Sequence, residues 1–121
     1  MNDSKTSIKE LKDLVQKFCE ERDWNQFHTA KELSIGIITE SSELLEYFRF
    51  KNETESEALF NSPGKKQKIS EEVADVLYFL LRLSQKYDID LSNELEKKIE
   101  GNEKRYPIEK SKGSNKKYTE L

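Results

Sequence analysis

ITESSELLEYF, residues 38–48, spaces its apolar residues as a helix does yet carries a charge in their midst. At about 100° per residue, with Leu33 as zero, Leu44 falls near 20°, Ile37 near 40° and Phe48 near 60°. Glu40 falls at about 340°, between Leu44 and Tyr47, inside the stripe that has to be buried. SEEVADVLYFLLRL, residues 70–83, repeats the anomaly. With Glu72 as zero, Leu83 lies near 20°, Val76 near 40° and Phe79 at about 340°. Each buried-face acid has a second carboxylate three residues on, Glu43 and Asp75, on the same side of its helix.

Outward from these two segments the chain is helical throughout. Pro and Gly are scarce, and no alternating strand pattern competes. A first helix is expected from about Ser7 to Arg22, opened by the capping box Ser7–Glu10, with the stripe Ile8, Leu11, Val15 and Phe18. The aromatic-rich segment 23–32, DWNQFHTAKE, breaks the period and reads as a structured loop. A second helix follows over about Leu33–Phe50, then a connector with one short helix at Thr54–Glu57, ended by Pro63-Gly64. The third main helix spans about Lys66–Tyr87 and the fourth about Leu91–Arg105, stopped by Pro107. The expectation is one all-α domain over residues 1–121, a bundle of four main helices, with 107–121 a polar tail of flexible composition.

Composition narrows the function classes. Only 34% of residues are hydrophobic and 37% are charged, so the chain has little to bury alone and association with its own copies is expected. A net charge of −3 gives no general pull towards nucleic acid or anionic membrane. No apolar run reaches the roughly 18 residues of a spanning helix. The segment MNDSKTSIKELKD lacks the apolar core of a signal peptide, and the lone Cys19 suits a reducing cytosol, where it reads as a packing residue.

Two helices that pack their acidic faces together would bring Glu40, Glu43, Glu72 and Asp75 towards one spot. Buried carboxylates repel one another and cost several kcal/mol each without a partner. Among cationic residues only Arg82 lies near these stripes. A divalent cation resolves the conflict, and an all-oxygen donor set favours Mg²⁺ or Mn²⁺. Two readings of the pairs stay open from pattern alone: a shared metal site, or helix edges partly in water. A di-iron centre would need two E-x-x-H motifs, and the single His28 follows no suitably spaced Glu.

The paired motif, E-x-x-E then E-x-x-D, resembles that of the MazG-like all-α nucleoside triphosphate pyrophosphohydrolases, and within them the dCTP pyrophosphatase branch. FCEERDWNQFH (18–28), EYFRF (46–50), EEVADVLYFLL (71–81), the spacing of Lys98, Asn102 and Arg105 before Tyr106-Pro107, and KYTEL (117–121) extend the likeness along nearly the whole chain. The resemblance implies hydrolysis between the α- and β-phosphates of a nucleoside triphosphate, favouring dCTP and its modified forms, with Mg²⁺ held by Glu40, Glu43, Glu72 and Asp75 and Mn²⁺ as a substitute. It assigns Trp24, His28, Phe50 and Phe79 to the base, and Lys98, Asn102, Arg105 and Tyr106 to the phosphates. Lys117 and Tyr118 would close over the site, in a cytoplasmic homotetramer or homodimer. Phe50 and Phe79 stand where this branch usually has Trp and Tyr, which keeps a stacking face and removes a polar handle. TESSE, residues 39–43, replaces the family's usual G-E-x-G-E, and TAKEL, residues 29–33, lacks the Pro common there. The alternatives are a broad-specificity NTP pyrophosphohydrolase and a non-catalytic helical interaction module.

Overall fold

The computed structural model describes all residues from 1 to 121. The helices are α1 (Ile8–Glu20), α2 (Ala30–Glu46), α3 (Glu53–Ala58), α4 (Pro63–Lys86), α5 (Leu91–Arg105) and α6 (Ile108–Ser111), with 3-10 turns at Asn25–Phe27, Leu59–Asn61 and Tyr118–Glu120. The four long ones are the four expected from periodicity. None is long and apolar enough to cross a membrane.

The chain forms two compact units, 1–88 and 89–121. In the first, α4 packs along both α2 and α1. Its core holds only five buried apolar residues: Val15 and Cys19 from α1, Leu33 from α2, Ile69 and Leu81 from α4. The buried edge of α1 is therefore turned towards Val15 and Cys19, and the expected stripe members Ile8 and Phe18 stay partly exposed.

Capping chemistry sets the boundaries. Ser7 and Glu10 form the reciprocal box, with Glu10 N donating to Ser7 Oγ at 3.1 Å. Helix α2 starts three residues earlier than the apolar period suggests, because Thr29 Oγ1 accepts from the Glu32 amide at 3.2 Å. Pro63 opens α4 instead of ending the connector; at the first helical position its missing N–H costs nothing and its fixed φ is already helical. Helix α2 stops at Glu46, four residues short of the expected end, and the chain reverses through Phe50 at φ 65°.

In the second unit, Asp90 caps α5 by accepting from the Asn93 amide at 3.0 Å. Within the polar tail there are local aromatic contacts that composition does not reveal. Tyr118 packs edge-on against Tyr106 at 5.9 Å, and the Arg105 guanidinium lies 5.3 Å from the Tyr118 ring.

Candidate metal centre and adjoining pocket

Glu40 and Glu43 come from α2, Glu72 and Asp75 from α4, the two helices that pack most extensively in this unit. One carboxylate oxygen from each of Glu40, Glu43 and Glu72 lies within 4.8 Å of the other two. Glu40 Oε2 and Glu72 Oε2 are buried and accept no hydrogen bond. A buried acceptor left in this state is destabilising, and here two of them sit together. Burial first, then the closeness and charge of Glu43, then the charges of Asp75 and Glu72 push Glu40 up to about 7. Glu72 is raised as well, by burial first and by Glu43 and Asp75 after it. Asp75 stands outside the close group of three, near enough to act on both through its charge.

Arg82, the one cation near these stripes in the sequence, gives the acids no relief. It is fully buried and turned towards His28, Asn25 and Gln85. The donor set is all carboxylate, crowded and unsatisfied, and it fits a divalent cation.

The sign of the resulting pH dependence is fixed by Glu40. Its folded value, about 7, exceeds the ordinary 4.5, so the folded chain holds an extra proton between those limits. Stability of the metal-free protein is therefore expected to fall as pH rises from about 4.5 to about 7. A divalent cation takes the proton's place, so the slope shrinks when metal is saturating. Melting curves in chelator and in metal across that range check this; parallel curves would show that the acids are not a metal site.

Beside the acids opens a pocket of about 620 Å³, a size suited to a small molecule. Glu40 and Asp75 form its acidic edge, and Leu14, Val15, Phe18, Trp24, Tyr78 and Phe79 its apolar walls. The aromatic rings brace one another edge to face: Trp24 on Phe18 at 5.5 Å, Phe18 on Tyr78 at 6.2 Å, Tyr78 on Phe79 at 5.0 Å. Phe79 lies over Gly36 so closely that a Cβ there would meet three ring carbons at 2.6–2.8 Å. Alanine at 36 would push the ring off its seat.

Residues 35–121 match the model of the MazG-like family. The chain belongs to the MazG-like family. It is 35% identical to dCTP pyrophosphatase 1 of Mus musculus over 115 residues, covering 95% of this chain and 68% of the mouse protein. For dCTP pyrophosphatase 1 of Homo sapiens the identity is 34%, over the same shares. The crystal structure of a pyrophosphatase from Archaeoglobus fulgidus is 32% identical, with a TM-score of 0.78 over 88% of this chain and 98% of that one.

Of the residues this MazG-like chain was expected to use for the base, Trp24 and Phe79 line the pocket, and His28 packs edge-on against Trp24 at 6.2 Å. Phe50 is not brought there. It is 90% exposed beyond the end of α2, with Arg49 stacked over its ring at 4.6 Å. Lys98, Asn102, Arg105, Tyr106, Lys117 and Tyr118 all belong to the second unit, where Arg105, Tyr106 and Tyr118 gather around one another. The sequence reading missed the α1 wall and Tyr78. Tyr78 lies off the acidic face of α4, and its hydroxyl meets Cys19 Sγ at 3.1 Å. Only the packing of α1 on α4 brings them together.

Proposed function

We propose that this chain is a metal-dependent nucleoside triphosphate pyrophosphohydrolase that cleaves between the α- and β-phosphates and favours dCTP and its modified forms. The observation that carries this is the adjacency of two orphaned buried carboxylate oxygens to an aromatic pocket sharing Glu40 and Asp75. The names of its relatives, dCTP pyrophosphatase 1 and a pyrophosphatase, support the reaction and the base.

Glu40, Glu43, Glu72 and Asp75 would hold Mg²⁺, with Mn²⁺ as a substitute. When bound, the ion supplies charge neutralisation for the polyphosphate and lowers the pKa of a coordinated water. The aromatic walls hold the base by stacking, which leaves the phosphate chain at the acidic edge. Glu43 is the one exposed member of the close group and is assigned to take the proton of the attacking water. Arg105, Lys98 and Asn102 on α5, with Tyr106, Lys117 and Tyr118, are assigned to the polyphosphate.

The substrate is a free nucleotide of the cytosolic pool, not a nucleic acid. The working form is a homotetramer of paired dimers. Large apolar side chains left in water, Ile38, Leu45 and Phe50 among them, support association. A monomer in sedimentation equilibrium would refute it.

One observation favours a broader substrate range. Phe79 has no hydroxyl, and the hydroxyl of Tyr78 is engaged with Cys19, so the pocket walls offer the base few polar handles. Product analysis after incubation with dCTP and Mg²⁺ tests the reaction: monophosphate plus pyrophosphate is expected, and diphosphate plus orthophosphate overturns it. Equal turnover of purine triphosphates would end the dCTP preference and leave the reaction standing.

A further inference from the structure

Arg82 is a buried cation whose hydrogen-bonding partners are all neutral. Its Nε–H donates to His28 Nδ1 at 3.0 Å, and its terminal nitrogens donate to Asn25 Oδ1 at 3.2 Å and Gln85 Oε1 at 2.5 Å. Burying a guanidinium against dipoles alone is unfavourable, so the arrangement needs a compensating use. Guanidinium nitrogens donate and never accept. His28 Nδ1 must therefore present a lone pair, and the ring proton of the neutral imidazole resides on Nε2.

We infer that Arg82 is a positioning residue that locks His28 as a neutral, Nε2-protonated donor beside the aromatic pocket, where it reads an acceptor oxygen or ring nitrogen of the nucleotide. This rests on the proposed pyrophosphohydrolase reading. The groups against the imidazole agree with it. From α4 come the cations Arg82 and Lys86, whose Nζ donates to the carbonyls of His28 and Asn25; from its own loop come the neutral Trp24 and Asn25. Burial first, then these two charges, hold His28 below its ordinary value. With Nδ1 occupied, the ring cannot accept from an exocyclic amine. It can only donate, to a base carbonyl, a ring nitrogen or a sugar hydroxyl.

His28 is the only histidine in the chain, so ¹⁵N-histidine labelling of the Mg²⁺-loaded full chain gives one unambiguous pair of ring signals. The wild type is expected to show a proton on Nε2, a bare Nδ1 and protonation only at a lower pH than an ordinary histidine. A proton on Nδ1 would overturn the inference whatever the enzyme hydrolyses. Arg82→Met is expected to give mixed tautomers, an ordinary histidine titration and a roughly tenfold higher KM for dCTP with kcat preserved above a pH of about 7, the value of one hydrogen bond. An unchanged tautomer and KM would also overturn it. Should Arg82→Met not fold, Arg82→Lys retains the charge and stem, and the wild-type spectrum decides on its own. The source of the acceptor is separated by His28→Ala with two substrates. An equal penalty on dCTP and dideoxy-CTP assigns the base, a penalty on dCTP alone assigns the sugar 3′-hydroxyl, and no penalty on either refutes the role. Failure of the wild type to release pyrophosphate would sink the proposed function and leave the tautomer result intact.

Discussion

Glu72→Gln is expected to reduce hydrolysis by about a thousandfold or more while raising the melting temperature of the metal-free protein. The two effects have one cause. Glu72 Oε2 is buried without a hydrogen bond, and the charges of Glu43 and Asp75 already push its carboxyl upward. A neutral amide removes that repulsion and brings a donor to neighbouring carboxylates, so the apo fold gains. The same change removes a ligand from the close group of three. In saturating Mg²⁺ the wild type is stabilised by linkage, and the variant gains little. The order of stability is therefore expected to invert between chelator and metal. Thermal melts of both proteins in both conditions measure it. An acid that merely decorates a helix would give indistinguishable curves. Glu40→Gln, Glu43→Gln and Asp75→Asn are each expected to lose most activity with helices intact; retention in any two would overturn the site.

The acids were legible because burial and charge conflict, and at helical spacing the conflict is visible without coordinates. Glu40 and Glu72 sit mid-stripe in the sequence, and their buried oxygens lie where that pattern places them. Asp75 is less determined, since an i,i+3 offset fixes the side of the helix but not the distance to the group. The four long helices followed from periodicity, whereas their ends depended on single polar contacts. Thr29 with Glu32 was a visible start signal that the aromatic-rich loop obscured, and Pro63 served as an opener where it had read as a stop.

Relations between helices were not legible. Leu14, Phe18 and Tyr78 become pocket walls only when α1 packs on α4. Arg82 was near the acids along the sequence but faces the 25–28 turn in space, because a helix position states an angle and not a neighbour. Tyr118 meets Tyr106 at the tail, a contact that residue composition averages away.

Trp24→Ala is expected to raise KM for dCTP by about 10–100-fold and leave kcat nearly unchanged, the scale of one lost base–aromatic stack of about 1–3 kcal/mol. The indole lines the pocket and remains 38% exposed, so it presents a face to a ligand instead of filling the core. Its position is set from both ends. The Trp24 amide donates to Cys19 O at 3.0 Å just after the left-handed turn at Asp23, and Phe18 meets the ring edge-on at 5.5 Å. Trp24→Phe keeps a flat ring and is expected to recover most of the affinity. The competing role, a tryptophan that caps the core, predicts the opposite pattern: a large fall in melting temperature with KM unmoved. Steady-state kinetics and melting temperature on the same two variants therefore separate a ligand-facing ring from a structural one. A broad-specificity site built on stacking adds one more expectation: the Trp24→Ala penalty would be of similar size for every nucleotide that the wild type turns over, because each base offers a π-face.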